Sequence, residues 1–541
     1  MPLNVRPPGG GSARTGTLRQ AVIGDFRGGL NLSDDLFKLG ENESPDMLNM
    51  DVDARGGLSL RGGMVARSEQ LDIENYSGSG VGRFLTADGE TAEVVFAMGR
   101  DLSSFGAVGL SAQSVDGLVN VVVGPAVDLV NPQGDTDVAF VQFNDVVYQI
   151  SQRFNLATFV LDVPSGVVAR TISAFGGLPW GTGGFVPRGT TGAVFDNRLW
   201  VGNTEEDGDR FRNRIRFSED SEARFEEDNF IDIDVGEDGD RITALVVHGE
   251  ILIVFKQRSM YAVIPVDDEF LYQVVPISSS VGVRSNEAAT STPFGLMFWD
   301  GRAGLHVWSE NEPTPVSDRI VQAIHERRIP YDGDVAVSWV KDRIWCSVEF
   351  DSRREVFLFD PELGAWMRYA PGVERGFQVG DTFWAYSRNL RRWLEIDIRS
   401  SLDDLNFDTM PESIPSYWVS PWIDGGNHVL PKRFRRPRFV LAASFNGGVL
   451  DVEVRGDLDP RNNVRRFDVM LPQRVGDTAW GVLEWNEDDW GAFGEEYADC
   501  LQGPAVGNFK SVQFRINGPT TVARWRLDAL SVGYLNRTLR S

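Results

Sequence analysis

Apolar residues along this chain come in short alternating or continuous runs of Val, Ile, Phe, Trp and Tyr, each bounded by Gly, Asp or Asn. That spacing predicts β-strands joined by tight turns, because alternation places one set of side chains on one face of a pleated strand. The 3.6-residue spacing of an amphipathic helix is nearly absent. It occurs at residues 317–328, where Ser317 stands ready to cap a helix and Ile320, Val321 and Ile324 make one apolar stripe. The fold class expected is all-β.

A hairpin pattern recurs: an apolar strand, a polar turn, then a strand opening on an aliphatic or aromatic residue. Copies are VAFVQFNDVVYQI from Val138, TGAVFDNRLWVGN from Thr191, ITALVVHGEILIVF from Ile242, PFGLMFWDGRAGLHVW from Pro293 and DVAVSWVKDRIWCSV from Asp334, with weaker ones from Ala92 and Val379. Taking Gly99, Asn144, Asp196, Gly249, Asp300, Lys341 and Asp381 as turn markers, the intervals are 45, 52, 53, 51, 41 and 40 residues. A repeat of that length, holding three or four strands that cannot cover their own apolar faces, predicts a β-propeller. About seven blades are expected over residues 75–400, with six to eight possible.

Residues 401–415 are polar and punctuated by Pro, the composition of a linker. From residue 416 onward, SYWVSPWID, RPRFVLAA, GVLDVEVRG, RRFDVMLP, KSVQFRING and RWRLDALSVGYL predict strands at the spacing of a β-sandwich domain, residues 416–541. Residues 1–74 have little apolar area and several Gly pairs, so an extended N-terminal arm is expected, stabilised only by lying on another surface, either its own propeller or a neighbouring subunit.

Charge narrows the function. The 541 residues carry 78 acidic and 53 basic side chains, a net charge of −25, and such a field repels phosphate backbones. General nucleic-acid binding is therefore not expected. Cys346 and Cys500 are the two cysteines, without metal-type or disulfide-framework spacing. The first twenty residues lack the continuous apolar stretch of an export signal, and no window approaches a membrane span. A soluble chain without membrane anchoring, assembled in a reducing cytoplasm, is expected.

Candidate chemistry is sparse. No Gly-Lys dipeptide is available for a phosphate-binding loop, and His248, His306, His325 and His428 are the only histidines. The acids Asp232, Asp234, Asp238 and Asp240 have the wrong spacing for an EF-hand, and residues 203–240, with fifteen acids against five Arg, make a solvated acidic stretch. Trp480, Trp485 and Trp490 could stack on carbohydrate, anchor an interface or enter a sandwich core. KRFRRPRF from Lys432 opens a strand, and Arg433, Arg435, Arg436 and Arg438 are expected to make a charged protein contact with an acidic neighbour surface such as residues 203–240. No cofactor, no metal and no enzymatic activity are expected.

The N-terminal FRGGLNLSDDLFKLGENESPDMLNMDVDARGGLSLRGG, residues 26–63, resembles the opening of tailed-bacteriophage tail proteins of the β-propeller nozzle or minor-tail type. LIVFKQRSMYAV from Leu252, SVGVRSNEAA, GLMFWDGRAGLHVW with SDRI, and LFDPELGAWMRY are similar to the same family in order and spacing. The resemblance implies a structural virion protein of the tail nozzle, tip or hub. It would form a ring of several copies, touch other tail proteins and let genomic DNA pass without specific binding, its acidic wall letting the duplex slide. The competing expectation is a receptor-binding or polysaccharide-cleaving protein of the tail tip. Phe26, Leu30, Leu36, Phe37, Met47 and Leu48 have no local core to enter, so the arm is expected to dock through them onto a partner.

Overall fold

A computed structural model describes residues 18–536, apart from residues 36–37, 72, 102–107, 116–118, 123–136, 153–156, 173–186, 207, 235–238, 267–271, 327–334, 351–352, 380–381, 398–401, 406–411, 428, 444–447, 460–462, 472–496 and 521–524. Seven sheets follow one another along the chain. Sheet 1 holds Ile73–Leu85, Thr91–Asp101 and Val108–Ser114; sheet 2 holds Val138–Phe143, Val146–Ser151, Ala157–Asp162 and Val167–Ile172, with Asn120–Val122 added in parallel at its edge. Sheet 3 holds Thr191–Phe195, Arg198–Glu206, Asp209–Ser218 and Phe225–Asp232, and sheet 4 holds Ile242–His248, Ile251–Lys256, Met260–Pro265 and Tyr272–Ser278. Sheet 5 comprises Ala289–Thr292, Gly295–Asp300, Gly304–Trp308 and Thr314–Pro315, and sheet 6 comprises Val335–Val340, Arg343–Phe350, Arg353–Asp360 and Ala365–Tyr369. Sheet 7 takes Gly376–Val379, Thr382–Ser387 and Arg392–Asp397, and its fourth strand is Gly63–Ala66 from the N-terminal segment.

The first strand of each sheet neighbours the first strand of the next. Apolar clusters fill the gaps between sheets: Phe84, Phe96, Val147 and Phe159 between sheets 1 and 2, Val141, Ile150, Leu199 and Val201 between sheets 2 and 3, and Ile253, Phe255, Leu296 and Phe298 between sheets 4 and 5. Tyr76, Val95 and Ala97 of sheet 1 pack on Trp384, Tyr386 and Trp393 of sheet 7, with the Tyr76 and Tyr386 rings stacked at 5.8 Å. The two ends of the series therefore meet, and the architecture is a β-propeller. Each sheet buries on its neighbours the apolar faces that it cannot cover alone.

Local sequence explains the turns. Asp196-Asn197 and Lys341-Asp342 each carry two successive positive φ values, 51° and 52°, then 45° and 64°, the conformation of a two-residue turn whose twist matches the flanking strands. Two of the turn markers are misplaced. Gly99 lies inside the strand Thr91–Asp101, and Asp300 ends the second strand of sheet 5, one turn later than its counterparts. Both follow from reading any polar residue after an apolar run as a hairpin turn. Asp381 lies outside the described residues. In sheet 1, Gly78, Gly80 and Gly82 alternate along the inner strand, and a Cβ at Gly80 would sit 2.4 Å from Cβ of Phe140. The missing side chains let sheets 1 and 2 approach.

The helix is Asp318–Glu326, with Ile320 and Ile324 buried. Ser317 does not cap it with its hydroxyl as expected. Its Oγ accepts from the Leu305 amide at 2.9 Å and donates to the Ala303 carbonyl at 3.2 Å, fixing the helix to sheet 5, while its backbone carbonyl receives the Ile320 and Val321 amides.

Two further sheets follow. The larger contains Lys432–Ala443, Tyr497–Gln502, Gly507–Phe509 and Trp525–Asn536; the smaller contains Tyr417–Val419, Val449–Gly456, Asn463–Met470 and Val512–Asn517. Phe439 of the larger lies 6.4 Å from Phe514 and 6.3 Å from Phe467 of the smaller, so the apolar faces meet.

The N-terminal segment departs most from expectation. It is woven into both units: Arg19–Ile23 and Leu58–Leu60 pair with Trp525–Asn536, Met47–Leu48 pairs with Tyr417–Val419, and Gly63–Ala66 completes sheet 7. Phe26, Leu30 and Met47 are buried, Phe26 edge-on against Trp418 at 5.2 Å. Docking of these three onto a partner is corrected: their core is supplied by distant parts of the same chain, invisible to a local reading. Leu48 is half-buried against Tyr417, and Leu36 and Phe37 lie outside the described residues. The linker is likewise anchored, because Asp403 pairs with the buried Arg61 at 2.6 Å and the Asp404 amide donates to the Met64 carbonyl.

Candidate functional site

Three features bear on function: the ring axis, the histidines with the acidic stretch, and the arginine strand. At the axis, the segment Ser285, Asn286 and Glu287 precedes the inner strand of sheet 5 and crosses one end of the ring. Ser285 Oγ donates to the Val335 carbonyl of sheet 6 at 3.2 Å. Asn286 Nδ2 reaches the Val138 carbonyl of sheet 2 at 3.1 Å and the Thr190 carbonyl beside sheet 3 at 3.4 Å. The Glu287 carboxylate accepts from Tyr76 Oη at 2.7 Å and the Ser79 amide at 3.0 Å, both in sheet 1. Three consecutive residues thus tie the starts of four other sheets together.

Glu287 is buried, and that burial raises its carboxyl above the ordinary range, outweighing the nearby Arg375 and the hydrogen bonds from Tyr76 and Ser79. Beside it a line of charges continues outward: the buried Glu374 lies 2.6 Å from the buried Arg354 and 2.8 Å from the half-buried Arg388, and Arg388 lies 3.2 Å from the half-buried Glu349. These pairs join sheets 6 and 7. A free volume of about 10 Å³ remains around this crossing, room for no more than a single water.

Below the crossing the axis widens to a cavity of about 320 Å³ lined by the inner strands, with Ser79, Gln142, Thr191, Ser291 and the half-buried Arg375 on its wall. At about 30 Å³ per water it would hold on the order of ten.

The described histidines serve local structure. His248 Nδ1 meets Ser291 Oγ at 2.8 Å, His306 Nδ1 meets the Gly304 carbonyl at 3.0 Å, and His325 Nε2 meets the Arg302 carbonyl at 2.7 Å. His428 lies outside the described residues. Of the acids in the 232–240 stretch, Asp232 pairs with Arg214 at 2.8 Å, Asp234 accepts from Tyr261 at 2.9 Å, and Asp240 accepts from Ser259 at 2.7 Å. Their oxygens are directed to separate partners, and no group of metal-ligating side chains gathers among the described residues. Asp238, Trp480, Trp485 and Trp490 lie outside them.

Strict alternation from Arg433 would send Arg436 and Arg438 to the face opposite Arg433 and Arg435, and the structure departs from it. In Lys432–Ala443, Phe434, Pro437 and Phe439 point into the core, while Arg433, Arg435, Arg436 and Arg438 are all exposed. A bulge between Phe434 and Pro437 places Arg435 and Arg436 both outward. Lys432 is instead buried, its ammonium donating to the carbonyls of Leu430 at 2.9 Å, Lys510 at 3.0 Å and Asn427. Of these, sequence reasoning missed Lys432 and the crossing at residues 285–287. SNE follows SVGVR without any local hint of long-range partners.

No family model and no curated protein matches the chain. Among solved structures it is similar to BamB from Moraxella catarrhalis, at 12% identity with 64% of this chain and 97% of that one covered and a TM-score of 0.33. It is also similar to U3-55K, at 10% identity with 62% and 98% covered and a TM-score of 0.34. Likeness at this level carries no argument about what the chain does.

Proposed function

We propose that this chain is a structural protein of a tailed-bacteriophage virion, a seven-bladed propeller carrying a C-terminal β-sandwich, which assembles as a ring in the tail nozzle, tip or hub. The observation that carries the reading is the role of residues 26–63. The segment whose sequence resembles phage tail proteins is also the one that fastens ring to sandwich, through Phe26 on Trp418, Met47–Leu48 on Tyr417–Val419 and Arg61 on Asp403. A rigid two-part body suits a load-bearing component. The net charge of −25 suits a wall past which DNA slides without binding.

Catalysis is no part of the proposal, since the buried carboxylates at the axis are engaged with arginines and a tyrosine. The test is imaging of purified chain and of phage particles carrying a tagged copy. Closed rings coaxial with the tail, bearing the tag, are expected. Peripheral fibres bearing the tag, or hydrolysis of host polysaccharide by the purified chain, would overturn the proposal.

A further inference from the structure

Four arginines stand together on an exposed face of a chain that is strongly acidic overall. The residues paired across the sheet from Arg433 are Leu535 and Asn508, and those paired with Arg438 are Ser531 and Gln502, so no carboxylate faces either arginine across the ladder. Among the described residues, no salt bridge involves any of the four. Across the intervening strand Trp525–Asn536, the strand Arg19–Ile23 leaves Val22 53% exposed, and Leu18 before it 62% exposed. A basic row flanked by two bare aliphatic side chains has the composition of a protein contact rather than of a solvated surface.

The chain also carries the complementary surface. Among the described residues, Phe225–Asp232 is the outer strand of sheet 3, paired on one side only, and Glu227, Asp228 and Asp232 on it are exposed. The arginines nearby are already used: Arg216 pairs with Glu206 at 2.7 Å, and Arg214 with Asp232 at 2.8 Å. Glu227 and Asp228 are left facing solvent. Phe230, 37% exposed, is held by the Arg214 guanidinium at 4.0 Å from its ring, which fixes the strand's outward face. Each row spans six residues, Arg433 to Arg438 and Glu227 to Asp232, so both run at most about 17 Å along an extended strand.

We propose that the strand bearing Arg433, Arg435, Arg436 and Arg438 of one copy docks on the acidic outer strand of sheet 3 of the next copy. The contact is heterologous: two different patches meet, so each copy offers a free basic face and a free acidic face. Repetition then gives a ring if the rotation closes and a filament if it does not. This rests on the ring reading above and names the surface that would build it. A second copy is favoured over nucleic acid because the remaining surface of a −25 chain repels a polyanion, whereas it supplies the acidic partner itself.

The experiment is sedimentation of the purified full chain with two charge-reversed variants, R433E/R435E/R438E and E227R/D228R. Wild type is expected to associate at low ionic strength and to dissociate as salt shortens the screening length to about 3 Å at 1 M. Each variant alone is expected to lose association by roughly 100-fold, and an equimolar mixture of the two is expected to regain it. All altered positions are exposed, so unchanged melting temperatures check that both variants fold. A monomeric wild type at low salt, or a mixture that fails to associate, would overturn the proposal. So would retention of duplex DNA by wild type that the arginine variant loses, which would make the row a DNA face. Failure here, with tagged rings still seen in tails, would remove this contact and leave the virion reading in place.

Discussion

Single residues carry unusual weight where charge is buried. Arg61 is fully enclosed and is satisfied by Asp403, Asn49 and the Ala370 carbonyl. Asp403→Ala would leave that guanidinium without its counter-charge, and a loss of about 3–5 kcal/mol in denaturant unfolding is expected. Glu287 gives a pH signature. Its carboxyl is raised in the fold, so its contribution to stability is complete below its ordinary value of 4.5 and is lost as pH rises through the raised value. Glu287→Gln keeps an acceptor for Tyr76 and Ser79 but cannot titrate. Melting curves are therefore expected to show wild type losing stability relative to the variant as pH is raised from acid toward neutral; parallel curves at all pH values would refute the assigned direction.

At the level of elements, spacing between sheets is set as much by absent side chains as by present ones. The alternating Gly78, Gly80 and Gly82 make one face of the first inner strand bare, and Phe140 fills the space directly opposite Gly80. Gly80→Val would force its Cβ branches into Phe140 and push the two strands apart, costing about 1–3 kcal/mol or more. A drop in melting temperature, with near-ultraviolet dichroism altered for the Phe96, Phe140 and Phe159 cluster, is the expected readout. The helix shows a different lesson. Its stripe was legible from Ile320 and Ile324, but the task of Ser317 was not, because the Leu305 amide that it receives belongs to a strand of sheet 5.

For the whole molecule, the N-terminal segment decides whether two units behave as one. Gly63–Ala66 closes the ring by completing sheet 7, while Phe26, Met47, Leu58 and the buried Arg61 hold the ring and the C-terminal sheets together. Removing residues 1–66 is expected to leave sheet 7 one strand short and to expose Trp418, giving a chain that unfolds in two separated transitions or aggregates. Phe26→Ser is the milder form: about 3–5 kcal/mol of stability lost, read by urea denaturation. A single unchanged transition in either variant would show that the segment is an accessory rather than a fastening.

Strand identity, turn positions at Asn144, Asp196, Gly249 and Lys341 and six of the eight described C-terminal strands were set by the order of residues, because each depends on alternation and turn chemistry within a few positions of itself. The burial of Phe26 under Trp418, the pairing of Arg61 with Asp403 and the crossing of the axis by residues 285–287 were decided only on folding. Those contacts join residues hundreds of positions apart, between surfaces that exist only once the ring has closed. No local pattern of apolar and polar side chains can encode which distant face will supply a core to an apolar residue that has none nearby.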